Sequence, residues 1–522
     1  MSSTGESSEA PFRRWAAALE IALVLAVFFL QAGWPAPEVN EPHYLGKARH
    51  FWNHDWAKGD FFFESNDTHW VFYLTCGWPT RWMSLAQFAW LGRLTTWLLL
   101  AAAWQRLCQA VVGRVGWALP SAALFLIFNV GCHLAGEWVI GGFEAKGLAY
   151  ALVFAALAAL VSNRWNTALL LLGMASALHV LVGGWSAVAA GVCWLLAPDR
   201  PRLRNLWPGI ACGALAALLG IVPALALNWN TEPQIVAEAN EIYVFQRLPH
   251  HLVPQSFRWP FLLRYLCMLL TWAVMNRART DNPRLQKLRS FVVGSLAIAF
   301  CGFAISVVTA NYPDARAALL RFYWFRLADV MLPVGIGLSA ILSLQDSKSS
   351  RRNLRAAFWL AVCGALVFYA RDDYATGNPL GNLPRADKSG KVLDHDDWRD
   401  VCEWMGQHSP QGALAITPRM AQTYTWYAGR GQVVSWKDLP QDAVTVVRWR
   451  QRLEDIYGMP HPEFQRRWRD SLTELSPERL LELGRRYGAD YLIVEAEPPL
   501  DLPKLHGNKS YAVYRLTTTD RP

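Results

Sequence analysis

The chain has 522 residues, of which 53% are hydrophobic and only 17% charged. Water-soluble domains usually carry about 25% charged residues, so the deficit excludes an ordinary soluble enzyme and points to a membrane. The net charge of +9 does not mark a nucleic-acid binder, because the basic residues fall in short clusters between apolar runs, as cytoplasmic loops do.

Residues 1–12 read as a disordered cytoplasmic tail. The apolar run Trp15–Trp34 follows Arg13 and Arg14 and is long enough to cross a hydrocarbon core of about 30 Å. No convincing cleavage pattern follows it, so it reads as a retained first span with a cytoplasmic N-terminus. Residues 35–84 then form a first outer loop. Further apolar segments recur at about 85–104, 117–133, 147–161, 167–197, 207–227, 260–275, 290–309, 327–344 and 356–370. The connections 105–117, 162–166, 198–205, 276–289 and 345–355 are short and basic, hence cytoplasmic. Segments 134–146, 228–259 and 310–326 are longer, or more acidic and aromatic, hence external.

Both flanks of 167–197 are basic, so that stretch must cross twice or not at all. A break near His179 and Gly183–Gly184 turns it into two short helices, a device tolerated where it lines a polar cavity. His179 itself reads as a satisfied core histidine. The count becomes eleven crossings within a membrane domain spanning 13–370. A linker over 371–390 leads to a polar external domain over 391–522. There Trp398–Gln407 reads as a helix, Ser476-Pro477 opens another and Gly488 stops it. Ala413–Ile416, Tyr491–Val494 and Tyr511–Leu516 read as strands. The fold class is therefore mainly α: a polytopic membrane helix bundle with a C-terminal small α/β domain, placed as a multi-pass protein of a bacterial inner membrane.

The sequence carries no P-loop, no Rossmann glycine pattern and no H-E-x-x-H, which argues against a nucleotide-driven pump. Its nine Cys are scattered without a C-x-x-C pair, so neither a disulfide framework nor a zinc site follows. The densest polar constellation is the first outer loop. On a helix over 41–52, Tyr44, Lys47 and Phe51 share a face, and Glu41 lies in the first turn at the positive end of the dipole. His50 and His54 stand four apart, as metal ligands can. An interfacial amphipathic helix accounts for the same aromatics, and periodicity leaves both readings open.

Other polar residues sit where they are costly. Arg93 lies inside an apolar segment and needs a partner or a polar cavity. Glu144 and Lys146 stand at the outer start of a helix, where Lys146 can meet a phosphate or simply snorkel. Arg247, His250 and His251 fit a phosphate or sugar contact, or plain surface. Arg321 and Arg326 flank an aromatic run, and Arg326 reads as paired with Asp329 on its own helix.

Asn40-Glu41-Pro42-His43-Tyr44 through Lys47, followed by Gly59-Asp60-Phe61-Phe62-Phe63-Glu64 and His69, resembles the first luminal loop of protein O-mannosyltransferases. It is also similar to the Asp-Glu-x-x-Tyr loop of bacterial lipid-A aminoarabinose transferases. Both belong to the GT-C class of integral-membrane glycosyltransferases. The resemblance implies transfer of a sugar from a polyprenyl-phosphate donor to an external acceptor (a glycan, lipid or protein), with a divalent cation as the one cofactor left open. It assigns Glu41 the role of base or acceptor-orienting group, with Asp60 and Glu64 as substitutes. His43, Tyr44, Lys47 and His69 become substrate contacts. Asn40 departs from the pattern, since the relatives carry an acid there. Two alternatives remain: a transporter or flippase of a lipid-linked substrate, and a non-catalytic scaffold with an external binding domain.

Overall fold

The computed structural model describes residues 6–277, 282–346, 394–459 and 467–517. The expected span 356–370 and the linker 371–390 lie outside the described residues. The first helix, α1 (Glu6–Ala32), starts at Glu6, so most of the expected tail is helical. Two short helices, α2 (Glu41–Trp52) and α3 (Trp70–Cys76), shape the first outer loop. The apolar segments then become α4 (Leu85–Val112), α5 (Ala118–Gly131), α6 (Ala145–Val161), α7 (Trp165–Leu178), α8 (Val180–Leu196) and α9 (Leu203–Ala226). They continue, through the outer helices α10 (Pro233–Glu241), α11 (Pro249–Leu252) and α14 (Pro313–Leu320), with α12 (Trp259–Arg277), α13 (Pro283–Val308) and α15 (Arg326–Asp346).

Among the described residues four helical stretches are long and apolar enough to cross a membrane: Arg14–Ala32, Leu203–Ala226, Pro283–Val308 and Arg326–Leu344. The helices α5 to α8 are apolar but shorter. Packing runs α1 on α4, α4 on α6, α6 on α7, α7 on α9, and α13 on both α8 and α15. Large rings fill the centre: Trp104 packs 4.9 Å from Phe125 and 5.6 Å from Phe154, centroid to centroid. By contrast, α9 leaves Leu215, Leu218, Leu219 and Val222 exposed, as a lipid-facing helix does.

The long stretch 167–197 is indeed broken, and the break falls at His179. The His179 ring caps α8, its Nδ1 accepting from the Val182 amide at 3.4 Å. Gly183 then passes so close to α7 that a Cβ would lie 2.1 Å from the Ser176 amide nitrogen. The chain therefore folds back on itself there. Gly183→Ala is expected to cost about 1–3 kcal/mol through overpacking, read as a lower unfolding midpoint in detergent. Gly184→Ala is its control, because a Cβ at Gly184 meets nothing within 4 Å.

The external domain is built on a five-stranded sheet of order β2-β1-β5-β7-β6. The strands are β1 (Leu414–Ile416), β2 (Gly431–Gln432), β5 (Tyr491–Glu495), β6 (Lys504–Gly507) and β7 (Tyr511–Arg515), while β3 (Gly458–Met459) and β4 (Arg467–Trp468) pair separately. Strand side chains alternate between faces. Leu492 and Val494 join the core with the helices Ala443–Tyr457 and Pro477–Tyr487, whereas Tyr491 and Ile493 pack with Trp398 on the helix His395–His408. Ser476 Oγ accepts from the Arg479 amide at 3.3 Å and Gly488 adopts φ 67°, so that helix starts and stops on the residues that signalled it.

The outer edge of this sheet rests on the first outer loop. The Phe61 amide donates to the Gln432 carbonyl at 3.3 Å, and Asp60 Oδ2 accepts from the Gln432 amide at 3.0 Å.

Candidate active site

A cavity of about 590 Å³ opens where the outer ends of the helices meet the external domain. Its wall combines seven stretches of the helical domain with Lys437, Leu439, Pro440 and Gln441 of the C-terminal domain. Of the residues singled out from sequence, His43, Tyr44, His69, Glu144, Lys146, Arg247, His251 and Arg321 line it, as does Asn40. Glu41, Lys47, Asp60, Glu64, Arg93 and His250 do not.

Glu41 is fully buried beneath the cavity. Its Oε1 accepts from Arg93 Nε at 2.6 Å and the Phe143 amide at 2.9 Å. Its Oε2 accepts from Arg93 Nη2 at 2.6 Å and the Glu38 amide at 2.7 Å. Arg93 also donates to the Trp34 carbonyl, so one ion pair ties the end of α1 and the start of α2 to α4 and the second outer loop. Gly142 makes room for this: a Cβ there would meet Glu38 Oε2 at 2.8 Å and Glu41 Cγ at 3.0 Å. The expectation that Glu41 faces substrate gives way to a carboxylate whose oxygens are already engaged.

The other acids of the first loop are also occupied with its own folding. Asp60 Oδ1 accepts from the Phe62 and Phe63 amides, both at 3.0 Å. Glu64 is half exposed and takes the Gly59 amide at 3.2 Å. Lys47 Nζ donates to the Ser65 carbonyl at 2.8 Å and the Phe62 carbonyl at 3.2 Å, and sits 3.5 Å from Asp67. His50 Nδ1 contacts the Trp56 carbonyl at 2.9 Å, and its ring lies 5.4 Å from that of His54. Among the described residues no group of three His, Cys, Asp or Glu is placed to hold a metal ion.

The acids that do reach the cavity come from the second outer segment. Glu144 precedes α6 in extended conformation, and its side chain does not cap the helix. Oε2 accepts from Asn40 Nδ2 at 3.4 Å, while Oε1 sits 3.4 Å from Lys146 Nζ and is buried without a hydrogen bond among the described residues. Burial pushes the Glu144 carboxyl above its ordinary range, with Lys146 pulling the other way. Glu38 beside it is pushed up to about 7, first by burial and then by Glu41 and Glu144. An acid at position 40 would add a further like charge to this group; Asn40 supplies a donor instead.

Glu137, not anticipated from sequence, pairs with Arg326 Nε at 3.0 Å and lies 3.9 Å from Lys146. The expected Arg326–Asp329 pair is replaced. Asp329 accepts the amides of Leu134, Ala135 and Glu137 at 2.7, 2.9 and 3.2 Å, which fixes the second outer segment and frees Arg326 for the cavity. Arg326 also lies 3.2 Å from His179 Nε2 and 4.0 Å above the Tyr323 ring. His179 is thus a wall residue rather than plain core. Tyr323 holds φ +52°, a left-handed conformation that side chains with a Cβ adopt at a cost and that concentrates at functional sites. Its hydroxyl lies 3.2 Å from that of Tyr243. Tyr243 and Arg247 both reach the cavity from the π-helical turn Ile242–Arg247, a widened turn that often re-aims side chains at such places.

Histidines complete the polar wall. His69 Nδ1 lies 2.9 Å from Asp67 Oδ1, and Tyr73 donates to Asp67 Oδ2 at 2.8 Å. Burial opposes the charge on Asp67, yet Lys47 and His69 beside it hold that carboxyl well below the usual carboxylate range. His251 is pushed down to about 3 by burial and by His250, whose ring lies 4.1 Å away, so it stands neutral. Above the polar groups the wall turns apolar, through Val180 and Leu181 of α8 and Ile221, Ala224 and Leu225 of α9.

An apolar helical bundle, a cavity at one end of it with buried acids among cations, and a C-terminal α/β domain define a membrane protein with a polar site where the two parts meet. Residues 396–456 match a family described as a domain of unknown function, DUF6798. No protein of curated function matches the sequence. Among solved structures the chain is similar to the Archaeoglobus fulgidus oligosaccharyltransferase in complex with Zn and sulfate, at 12% identity over 92% of this chain and 67% of that one, with TM-score 0.42. It is also similar to arabinofuranosyltransferase AftD from Mycobacteria (16% identity, 97% and 42% coverage, TM-score 0.46) and to ArnT from Cupriavidus metallidurans (12%, 98% and 98%, 0.40).

Proposed function

We propose that this cavity is the active site of a glycosyltransferase that moves a sugar from a polyprenyl-phosphate donor to an external acceptor. The observation that carries the reading is Glu144: a buried carboxylate with one oxygen that accepts no hydrogen bond among the described residues and has only the Lys146 charge 3.4 Å away, facing a cationic cavity whose lipid side is apolar. The volume fits a ligand of sugar-phosphate size, since such sites run to about 300–1,000 Å³.

Glu144 takes the proton of the acceptor hydroxyl. The acceptor oxygen bonds to the anomeric carbon as the bond from that carbon to the phosphate oxygen breaks. The electron pair leaves on the carrier phosphate, whose charge the cations of the cavity stabilise. A single displacement of this kind inverts the anomeric centre. Asn40 holds the second Glu144 oxygen, and Lys146 keeps the carboxyl ionised. The prenyl chain lies along α8 and α9, where exposed leucines meet lipid. The acceptor arrives from the side of the external domain, which places that domain outside a bacterial inner membrane and the N-terminus in the cytoplasm.

The test is incubation of the purified protein with a panel of radiolabelled polyprenyl-phosphate sugars and candidate acceptors. Label should leave the carrier and appear on an acceptor or in water. A panel in which no donor is retained, hydrolysed or used would overturn the reading.

A further inference from the structure

Two kinds of cation line the cavity. Lys146 and Arg326 lie within 4 Å of carboxylates, Glu144 and Glu137 respectively, so their charge is largely spent on the protein. Arg247, Lys437 and Arg321 are different: among the described residues no ion pair joins any of them to a carboxylate, and Arg321 is held instead by donating to Asn240 Oδ1. Arg247 Nε donates to the Trp436 carbonyl at 3.0 Å, and its guanidinium stacks 5.3 Å from the Trp436 ring. Both of these partners are neutral.

Lys437 comes from the external domain, in a segment fastened on both sides. Before it, Trp436 is held by Arg247 and packs 5.4 Å from Trp449. After it, Asp438 lies 3.5 Å from His43 and accepts from Ser435 Oγ at 2.6 Å. Gln441 Oε1 then accepts from the Thr68 hydroxyl at 2.6 Å. Such fastening leaves the Lys437 side chain directed into the cavity, beside Arg247. Burial lowers its pKa and Arg247 lowers it further, while Glu38, Glu144 and Asp438 act the other way without any of them forming an ion pair with it.

We propose that Arg247 and Lys437 together seat the phosphate of the lipid carrier, so that the external domain supplies part of the donor site and the membrane domain alone has an incomplete one. This rests on the proposed function but names a contact that function does not require.

The experiment measures binding of labelled decaprenyl phosphate to the full chain in detergent, with decaprenol and inorganic phosphate as the other arms. Lys437→Gln and Arg247→Gln should each weaken decaprenyl phosphate binding by about tenfold or more, the size of a lost charge-assisted contact. Decaprenol binding should stay unchanged. Lys437→Arg should retain most of the affinity, and the exposed Arg399→Gln should retain all of it. Unchanged binding in Lys437→Gln, equal losses for decaprenyl phosphate and decaprenol, or inorganic phosphate binding as tightly as the lipid would each overturn the proposal. Because decaprenyl phosphate carries no sugar, this result stands even if no donor is ever turned over. Normal transfer and binding in Lys437→Gln would sink the proposal and leave the proposed function intact.

Discussion

Glu144→Gln is expected to cut sugar transfer by about a hundredfold or more while the protein stays folded. General-base groups contribute about 10²–10⁴ in rate, and the change removes the proton acceptor without altering volume. Fold should survive because Glu144 caps no helix, and an amide keeps an oxygen for Asn40 to donate to. The pH profile gives an independent check. Burial raises the Glu144 pKa and the base acts only when ionised, so transfer should fall with acid at a higher pH than an exposed carboxylate would give. The same shift makes ionised Glu144 a cost to stability: the folded state holds the proton more tightly, and its advantage is lost as pH rises through the folded pKa. Asn40→Asp should move the acid limb higher still by adding a like charge. Full turnover in Glu144→Gln at every pH would remove Glu144 from the chemistry.

Glu41→Gln should behave in the opposite way, with loss of folded protein as its main effect. Breaking a buried ion pair from one side strands the other charge, at about 3–5 kcal/mol. Arg93 and Glu41 are both fully buried, and Glu41 accepts four hydrogen bonds. Arg93→Met should be as damaging. The double variant Glu41→Gln/Arg93→Met should recover much of the loss, because no charge is then left alone. Monodisperse yield and the unfolding midpoint in detergent are the measurements. A Glu41→Gln protein as stable as the parent, yet devoid of transfer, would return Glu41 to the catalytic role that the motif implies.

These two variants mark where sequence reading succeeded and where it stopped. Element positions were legible because their signals are local. Proline and serine at 476–477, glycine at 488, strand alternation at 491–494 and the basic flanks around 167–197 each act within a few residues. The break at His179 follows from charge parity together with the length of 167–197 and the Gly183–Gly184 pair at its middle. Roles within the site were less legible because they depend on long-range partners. Glu41 carries the acid of a motif, but its partner Arg93 comes from another helix. Arg326 seemed committed to Asp329 one turn away, until the amides of 134–137 claimed that carboxylate. Glu137, Tyr323 and Lys437 carry no local signature, and only the assembled fold brings them to one cavity.

The contact between Gln432 and the first outer loop bears on how this chain is made. Strand β2 is the open border of the external sheet, and exposed borders of this kind recruit strands from other chains. Here Asp60 and Phe61 occupy that border, although the chain delivers them some 370 positions earlier. The sheet is therefore synthesised after the loop that completes its border, and it closes only by docking on that loop. A cell that secreted this domain on its own would release a molecule with an adhesive rim.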